Sequence, residues 1–444
     1  MTRCLVTGAY GFIGRHLVNA LLNEGPQRAV EIVGAGRDLE LGKRLLPEIS
    51  WIRADFNRDD GVDVWLPRLA GIDVVINCVG VLQSTFSDDA NRIHEAGTTA
   101  LFRAAAAVGV KRLIHISAMS AERAVATDYA RSKAAADEAL AALDFNWLIV
   151  KPSLVIGSGS HGGTSLIRAL AGFPFVTPLP GRAGQLLQPI AMADLCQGVV
   201  RLALRQQPSR RTVFAVGPQT MTLAEIIALH RRWLGFAPAR IVALPSWLMT
   251  LGLKLGDALG YIGNATAMRS TSLRQLEHMD HADPGDFATV TGLTLQPLSE
   301  AMRQIPSTLQ DRLHARSFFA LAVTQAAIAL FWIATGIIAL LPGPSSKAIE
   351  LLAAGGLVPS SLGRGLAVAV VYGGAIADIV VGVLFVSVRW LRRAGLAQLA
   401  LSTLYLAGSL VVRPDLWLDP LGPLVKVVPI MAATVLVMAL NEKR

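Results

Sequence analysis

Two spacings in this 444-residue chain are suited to chemistry. Near the N-terminus, Thr7-Gly8-Ala9-Tyr10-Gly11-Phe12-Ile13-Gly14 is a TGxxGxxG run between an apolar stretch of strand length and a helical one. At such a junction Gly8 permits a tight turn, Gly11 lets backbone approach a bound group, and Gly14 lets helix pack closely on strand. The first turn of the helix then offers unpaired N–H groups and positive potential, which is the chemistry of holding phosphate. The second spacing is Tyr129-Ala-Arg-Ser-Lys133. Four residues apart, the phenol and the ammonium project from one helix face, and both are side chains that general acid–base chemistry uses.

The elements that must position these residues follow from the pattern around them. From Arg3 to Lys151, apolar runs of strand length (RCLVT, AVEIVGA, DVVINCV, KRLIHIS, NWLIVK) alternate with helical stretches such as Arg15 to Asn23 and Asn91 to Val108. Strands apolar on both sides, separated by helices, predict a parallel sheet covered on both faces. Right-handed crossovers make it doubly wound, with a ligand crevice at the carboxyl ends of the strands. The second run ends Val33-Gly34-Ala35-Gly36-Arg37, without the acid that would grip a ribose 2′-hydroxyl. Arg37 stands there instead, followed by Asp38, and Arg15 directly follows Gly14. Two arginines suit a 2′-phosphate, so NADP(H) is preferred over NAD(H). Asp55 and Phe56 after the third strand, which precedes DVVINCV, and Asn77-Cys78-Val79-Gly80 at the end of the fourth strand, DVVINCV, are further cofactor candidates by their position at strand ends, although Asp55 equally suits a helix cap.

LIHISAMSA, DYARSKAAADEAL, WLIVKPSLVIG and LQPIAMADLC occur in an order and spacing that resembles the extended and atypical short-chain dehydrogenases/reductases over roughly the first 300 residues. Within them the likeness is to the NADPH-holding accessory subunit of complex I and its bacterial relatives. The resemblance implies a Rossmann fold in which Lys133 holds the nicotinamide ribose and lowers the pKa of Tyr129. That phenol then exchanges a proton with a substrate oxygen while hydride moves to or from the nicotinamide. Pro152 and Ser153 would bring backbone to the carboxamide. The register puts Ala118 where a Ser or Thr usually polarises the substrate oxygen, leaving Ser117 or Ser120 to stand in and making the Ser-Tyr-Lys triad incomplete. Asp194 reads as a helix cap rather than a catalyst, and His161, Gln185 and Gln188 lie in loops on the substrate side, His161 as an exposed loop histidine.

From Pro152 to about Arg312, Gly and Pro breaks between shorter helices predict a small substrate subdomain. Within it, SWLMTLGLKLGDALGYIG is apolar, carries Lys254 and Asp257, and is short for a bilayer crossing. A packed lid helix fits it better than a helix lying on the membrane surface, which ordinarily has a strongly cationic face.

Beyond Arg316 come four apolar segments, near 318–341, 366–388, 396–412 and 424–440, close to the length of about 20 residues a helix needs to cross a bilayer. With a short helix near Lys347 to Leu357, they resemble the DoxX-like family of small four-helix membrane proteins, some of which are associated with quinone-linked redox chemistry. Arg312 and Arg316 before the first span, Arg389, Arg392 and Arg393 after the second, and Lys443 and Arg444 at the end then share one side. By the positive-inside rule that side is cytoplasmic, for both termini and for the first domain. Asp378 lies inside the second span, with Gln325, Tyr372, Gln398 and Tyr405 as candidate partners, and serves either function or packing.

The expectation is an α/β domain at 1–312, a doubly wound parallel Rossmann sheet with its subdomain, and an all-α four-helix transmembrane bundle at 313–444. The formal charge of +9 is dispersed, without basic runs interleaved with aromatics, which argues against nucleic acid and for anionic headgroups or a phosphorylated cofactor. Cys4, Cys78 and Cys196 are too few and too far apart to suggest a disulfide framework or a metal site, and no signal peptide precedes the glycine run. These features point to a membrane-anchored NADP(H)-dependent oxidoreductase of the inner membrane acting on a carbonyl, hydroxyl or quinone-like lipophilic molecule. Two other functions keep the same residues: a non-catalytic NADPH-binding protein serving a membrane partner, and a nucleotide-sugar epimerase or dehydratase.

Overall fold

The computed structural model describes every residue except 86–87, 181–183, 206–207, 262–267, 279–281, 355–362, 421 and 442–444. Its contacts divide the chain into two compact units, with the boundary between Ala315 and Arg316, three residues beyond the expected one.

The first unit is built on β1 (Thr2–Thr7), β2 (Val30–Gly36), β3 (Ser50–Arg53), β4 (Val74–Asn77), β5 (Arg112–Ile116) and β6 (Trp147–Pro152), separated by α1 (Phe12–Arg28), α2 (Leu39–Leu45), α3 (Val62–Trp65), α4 (Thr98–Ala107) and α5 (Asp128–Ala141). Later in the chain come β7 (Val155–Ile156), α6 (Gly163–Ala171), β8 (Val176–Pro180), β9 (Leu186–Leu187), β10 (Ile190–Ala191), α7 (Met192–Ala203) and β11 (Arg211–Ala215). The large sheet is parallel throughout, in the order β11-β6-β5-β4-β1-β2-β3. The order reverses between β1 and β4, so the crevice opens at their carboxyl ends, where Thr7 and Asn77 stand. Strand parity sorts the core. Cys4, Val6, Ile76, Ile114 and Val150 join a cluster with residues of α1 and α7. Leu5, Val75, Leu113 and Ile149 point the other way, into a cluster with residues of α4 and α5.

The substrate-side region adds β12 (Met221–Thr222), α8 (Leu223–Trp233), β13 (Arg240–Leu244), α9 (Ser246–Tyr261), α10 (Ser270–Glu277), α11 (Pro284–Thr291) and α12 (Leu298–Arg303). The segment expected as a packed lid is α9, and its apolar residues are not packed: Trp247 is 67% and Leu255 56% exposed. Asp194 does not cap α7. Its carboxylate accepts a hydrogen bond from Gln296 N at 2.8 Å, tying the first turn of α7 to the segment before α12.

The second unit contains most of α13 (Leu309–Leu340), then α14 (Pro342–Ala354), α15 (Gly363–Val386), α16 (Leu391–Val412) and α17 (Val427–Leu440). Among the described residues, α13, α15 and α16 are long and apolar enough to cross a membrane. The fourth expected span is shorter than predicted, because α17 starts at Val427 and has 14 residues. At a rise of 1.5 Å per residue that is about 21 Å against a hydrocarbon core of about 30 Å. Lys443 and Arg444, which entered the orientation argument, lie outside the described residues.

Candidate functional site

At the glycine run, Gly8 has φ +66°, a conformation other residues rarely adopt, and its N–H donates to Ala35 O at 3.0 Å. Gly11 N donates to Gly8 O at 2.9 Å, closing the turn. A Cβ on Gly14 would lie 2.1 Å from Gly8 O, so only glycine lets α1 start this close to β1. The side chains between the glycines all have protein contacts. Tyr10 Oη accepts from Arg37 N at 3.0 Å and Asp38 N at 3.2 Å, and its ring stacks on Trp51. Phe12 and Ile13 pack against the core, and the Phe12 ring also meets the exposed His161. What this loop can give a dinucleotide is backbone, with Arg15 exposed beside it.

Along the strand ends, Arg37 forms an ion pair with Asp88, and Asp38 turns away to cap α2 by accepting from Leu41 N at 2.9 Å. Asp55 organises its own turn, accepting from Asn57 N at 3.2 Å, and caps no helix, since the next one, α3, begins at Val62. Phe56 departs from expectation. It is buried against Trp65, ring centroids 5.0 Å apart, so its side chain belongs to the core and only its backbone remains near the crevice. Thr7 and Asn77 are also fully buried and bind each other, Thr7 Oγ1 donating to Asn77 Oδ1 at 2.6 Å. Val79 N donates to the same oxygen, and Cys78 N to Thr7 O, so this pair shapes the Asn77–Gly80 loop. Burial pushes the Cys78 thiol up to about 12, which makes it a poor nucleophile.

The helix carrying Tyr129 and Lys133 is capped by Thr127, whose hydroxyl accepts from Ala130 N at 3.2 Å. Lys133 Nζ donates to Val79 O at 3.1 Å and Ile116 O at 3.0 Å, so the ammonium sits at the carboxyl ends of β4 and β5, and a Cβ on Gly80 would lie 3.3 Å from it. Burial lowers this lysine to about 8, against the pull of Asp137, and raises the Tyr129 phenol to about 12, with Asp137 adding. His94 packs edge-on to Tyr129 at 5.4 Å. Its Nε2 accepts from Val81 N at 2.9 Å, so Nδ1 carries the proton and donates to Ser132 Oγ at 2.9 Å, and that hydroxyl donates to Tyr129 O. Burial and Lys133 hold His94 well below the usual imidazole value, which keeps it neutral.

Ser117 departs from the catalytic role expected of it. It is buried and donates to Asp137 Oδ2 at 2.8 Å, an oxygen that also lies 3.1 Å from Lys151 Nζ. Asn77 Nδ2 donates to His115 Nδ1, which leaves the His115 proton on Nε2, 3.6 Å from Asp137 Oδ1 and too far for a hydrogen bond. Ser120 is bonded to Gln275 of α10, whose amide nitrogen donates to Thr127 Oγ1 at 2.6 Å. Both hydroxyls beside Ala118 are thus taken up by protein partners. Ser153 donates to Gln188 O, and Pro152 O accepts from Met119 N at 3.3 Å. The Gln188 amide is taken up on both sides by Ala282, whereas Gln185 Oε1 is buried without a hydrogen-bond partner among the described residues. Sequence reasoning missed His94, Asp137, Asp88 and Gln275. Of these only Asp137 carried a signal, four residues beyond Lys133 on the same helix face.

In the helical unit, Tyr405 Oη donates to Asp378 Oδ1 at 2.8 Å. The other expected partners lie elsewhere: Gln325 donates to Phe385 O and Val386 O, Tyr372 meets Ser345, and Gln398 meets Thr434.

Residues 4–173 match the model of the NAD dependent epimerase/dehydratase family, and residues 329–435 that of the DoxX-like family. The chain is 32% identical to a ceramide reductase of Caulobacter vibrioides over 306 residues, covering 65% of this chain and 91% of that one. It is 30% identical to the mitochondrial NADH dehydrogenase [ubiquinone] 1 alpha subcomplex subunit 9 of Arabidopsis thaliana, over 54% of this chain and 62% of that subunit. Among solved structures, a nucleoside-diphosphate-sugar epimerase of Staphylococcus aureus superposes with a TM-score of 0.53 at 15% identity, over 68% of this chain and all of the other, a likeness of fold alone.

Proposed function

The chain belongs to the NAD dependent epimerase/dehydratase family, the extended short-chain dehydrogenases/reductases, with a DoxX-like domain fused behind it, and from this premise we propose a membrane-anchored NADP(H)-dependent oxidoreductase that interconverts carbonyl and hydroxyl on a lipophilic substrate. The observation that carries the reading is the position of Lys133, one helical turn from Tyr129 and hydrogen-bonded to the strand-end carbonyls of Val79 and Ile116. This supports an acid–base role for the pair at the crevice whose other end is the glycine turn.

The residues present fit a dinucleotide. The turn at Gly8 and the close approach at Gly14 leave backbone where a pyrophosphate would lie. Arg37, next to a capping Asp38 rather than a free acid, supports the choice of NADP(H). The bound cofactor would supply hydride transfer. Tyr129, with its phenol raised to about 12, holds its proton at neutral pH and is suited to donate it to a carbonyl oxygen, while the Lys133 ammonium stabilises the phenolate left behind. With Ala118 in place of a hydroxyl, one donor to that oxygen is missing, worth about 10²-fold in rate by comparison with other oxyanion donors.

Substrate class rests on the name of the ceramide reductase relative and on the three membrane-length helices. Arg312 and Arg316 at the start of α13 and Arg389, Arg392 and Arg393 after α15 fall on one side whatever the last helix does, which supports a cytoplasmic oxidoreductase domain in an inner membrane. A second reading, a non-catalytic NADPH-holding protein serving a membrane partner, is favoured by one observation: Ser117 and Ser120 are both committed to protein partners.

The test is NADPH and NADH binding by fluorescence on the solubilised chain, followed by NADPH oxidation with a panel of long-chain ketones, aldehydes and quinones. Turnover that depends on Tyr129 supports the oxidoreductase. Tight, co-purifying NADPH with no oxidation of any acceptor selects the second reading.

A further inference from the structure

Helix α9 has two unlike faces. Gly252, Gly256 and Gly260 recur every four residues and form one of them, packed on the segment that leads to α10; a Cβ on Gly256 would lie 1.6 Å from Met268 O. The other face is apolar and exposed: Trp247 is 67%, Leu251 48% and Leu255 56% exposed. Helical geometry brings these three side chains and Lys254 onto one stripe. The strand leading into the helix continues the character, with Ile241 and Val242 also exposed.

Water is a poor neighbour for such a surface, and patches of this kind mark interaction sites. The charges on it select the partner. The helix has one acid, Asp257, which is turned towards Arg269 at 3.8 Å and accepts from Ser270 N at 3.1 Å. The exposed stripe therefore presents a cation and no carboxylate, complementary to anionic headgroups, and Lys254 can lay its aliphatic stem on the apolar face with its ammonium at headgroup level. A single lysine is weak attraction for a free helix. Here the same chain supplies the first membrane-length helix from Leu309 onward, and tethering at millimolar-scale effective concentration, roughly, makes a weak contact sufficient.

We propose that the Trp247–Leu251–Leu255 face of α9 lies on the lipid bilayer and presents the substrate side of the crevice to it, so that a long-chain amphiphile enters from the membrane. The connection to the site is short. α9 packs on the segment preceding α10, and α10 inserts Gln275 between Ser120 and Thr127, next to Tyr129. The entry route rests on the oxidoreductase reading, whereas the membrane contact does not.

The experiment places nitroxide labels at Leu251→Cys, Leu255→Cys and, as an aqueous reference, Val108→Cys in the full chain, reconstituted in nanodiscs of phosphatidylcholine with phosphatidylglycerol. The unsubstituted chain provides the background from its own cysteines. Collision rates with oxygen and with a water-soluble nickel chelate are then compared. Oxygen is expected to dominate severalfold at 251 and 255, with the reverse at 108; chelate dominating at 251 and 255 as it does at 108 overturns the proposal. For entry, Leu251→Glu with Leu255→Glu should raise KM for a bilayer-partitioned long-chain carbonyl at least fivefold, leaving a short water-soluble carbonyl and the NADPH Kd within twofold. Equal KM changes for both carbonyls overturn the entry route. Lipid-exposed labels on a chain without turnover uphold the surface and sink the oxidoreductase reading, and turnover with aqueous labels does the opposite.

Discussion

At the start of α1 the crevice is shaped by side chains that are missing, whereas beside α5 it is shaped by buried polar side chains that hold one another. Gly8 and Gly14 work because nothing stands on their α-carbons, and any residue with a Cβ would meet backbone. Lys133, His94, Ser132, Asp137 and Ser117 work through their partners, so each group's protonation and direction depend on several others. A steric demand is local and absolute. A hydrogen-bonded cluster is distributed, and its chemistry changes when one member does.

The largest expected effect separates binding from chemistry across these two ends. Tyr129→Phe keeps the ring beside His94 and removes only the hydroxyl, so kcat should fall by roughly 10³-fold, within the usual range for a general acid, with NADPH affinity within twofold. Steady-state kinetics and a fluorescence titration on the same preparation decide it. Loss of binding along with turnover would mean the two ends are not functionally distinct. Gly14→Val is the counterpart at the other end. Its side chain meets Gly8 O, and NADPH affinity should fall at least about 100-fold, equivalent to ~2.7 kcal/mol, with the far-UV circular dichroism retained. Affinity within threefold of the unsubstituted chain would remove the glycine turn from the phosphate site.

This contrast also explains what was legible in the sequence. The alternating strands and helices, the TGxxGxxG turn and the four-residue Tyr129–Lys133 spacing are local patterns, and each is present in the folded chain. The partners of Ser117 and Ser120 are not local: Asp137 is 20 residues away and Gln275 is 155. Phe56 sits at a strand end like its neighbour Asp55, and only the packing of Trp65 decides that it points into the core. For α9, composition could not distinguish a covered apolar helix from an uncovered one, because each face carries a single charge, Asp257 on the glycine side that packs and Lys254 on the leucine side that does not. The fourth span is shorter than its apolar run for a related reason, since Leu424 and Val425 are as apolar as α17 itself yet form turns.

A smaller effect tests the electrostatics of the α5 end. Because burial lowers Lys133 to about 8, kcat/KM should fall above that pH as the ammonium loses its proton, reaching about a tenth of its plateau one pH unit higher. Lys133→Arg, whose charge persists beyond pH 12 or so, should flatten that limb even if it lowers the plateau. The stability of the domain moves the other way. The unfolded lysine titrates near 10.4 or so, so between about 8 and there the unfolded chain binds the extra proton and stability rises with pH. A kcat/KM limb that stays at the same pH in the arginine variant would assign the titration to another group.

The smallest effect lies at Arg37, at the carboxyl end of β2, on the far side of the glycine turn from α5. Its guanidinium is half-exposed and already paired with Asp88, so a 2′-phosphate would have to compete for it in partly aqueous surroundings. Arg37→Ala should therefore weaken NADPH by only about five- to tenfold, roughly 1–1.4 kcal/mol, and leave NADH within twofold. Asp88→Asn removes the competitor and should move NADPH modestly in the opposite direction, which a loss of loop structure would not do. Isothermal titration with both dinucleotides on both variants is the measurement. Arg37→Ala weakening NADPH and NADH equally would mean that this arginine braces the backbone at Asp88 and does not read the phosphate. The preference would then have to come from backbone and glycine shape, the same means by which the start of α1 does its work.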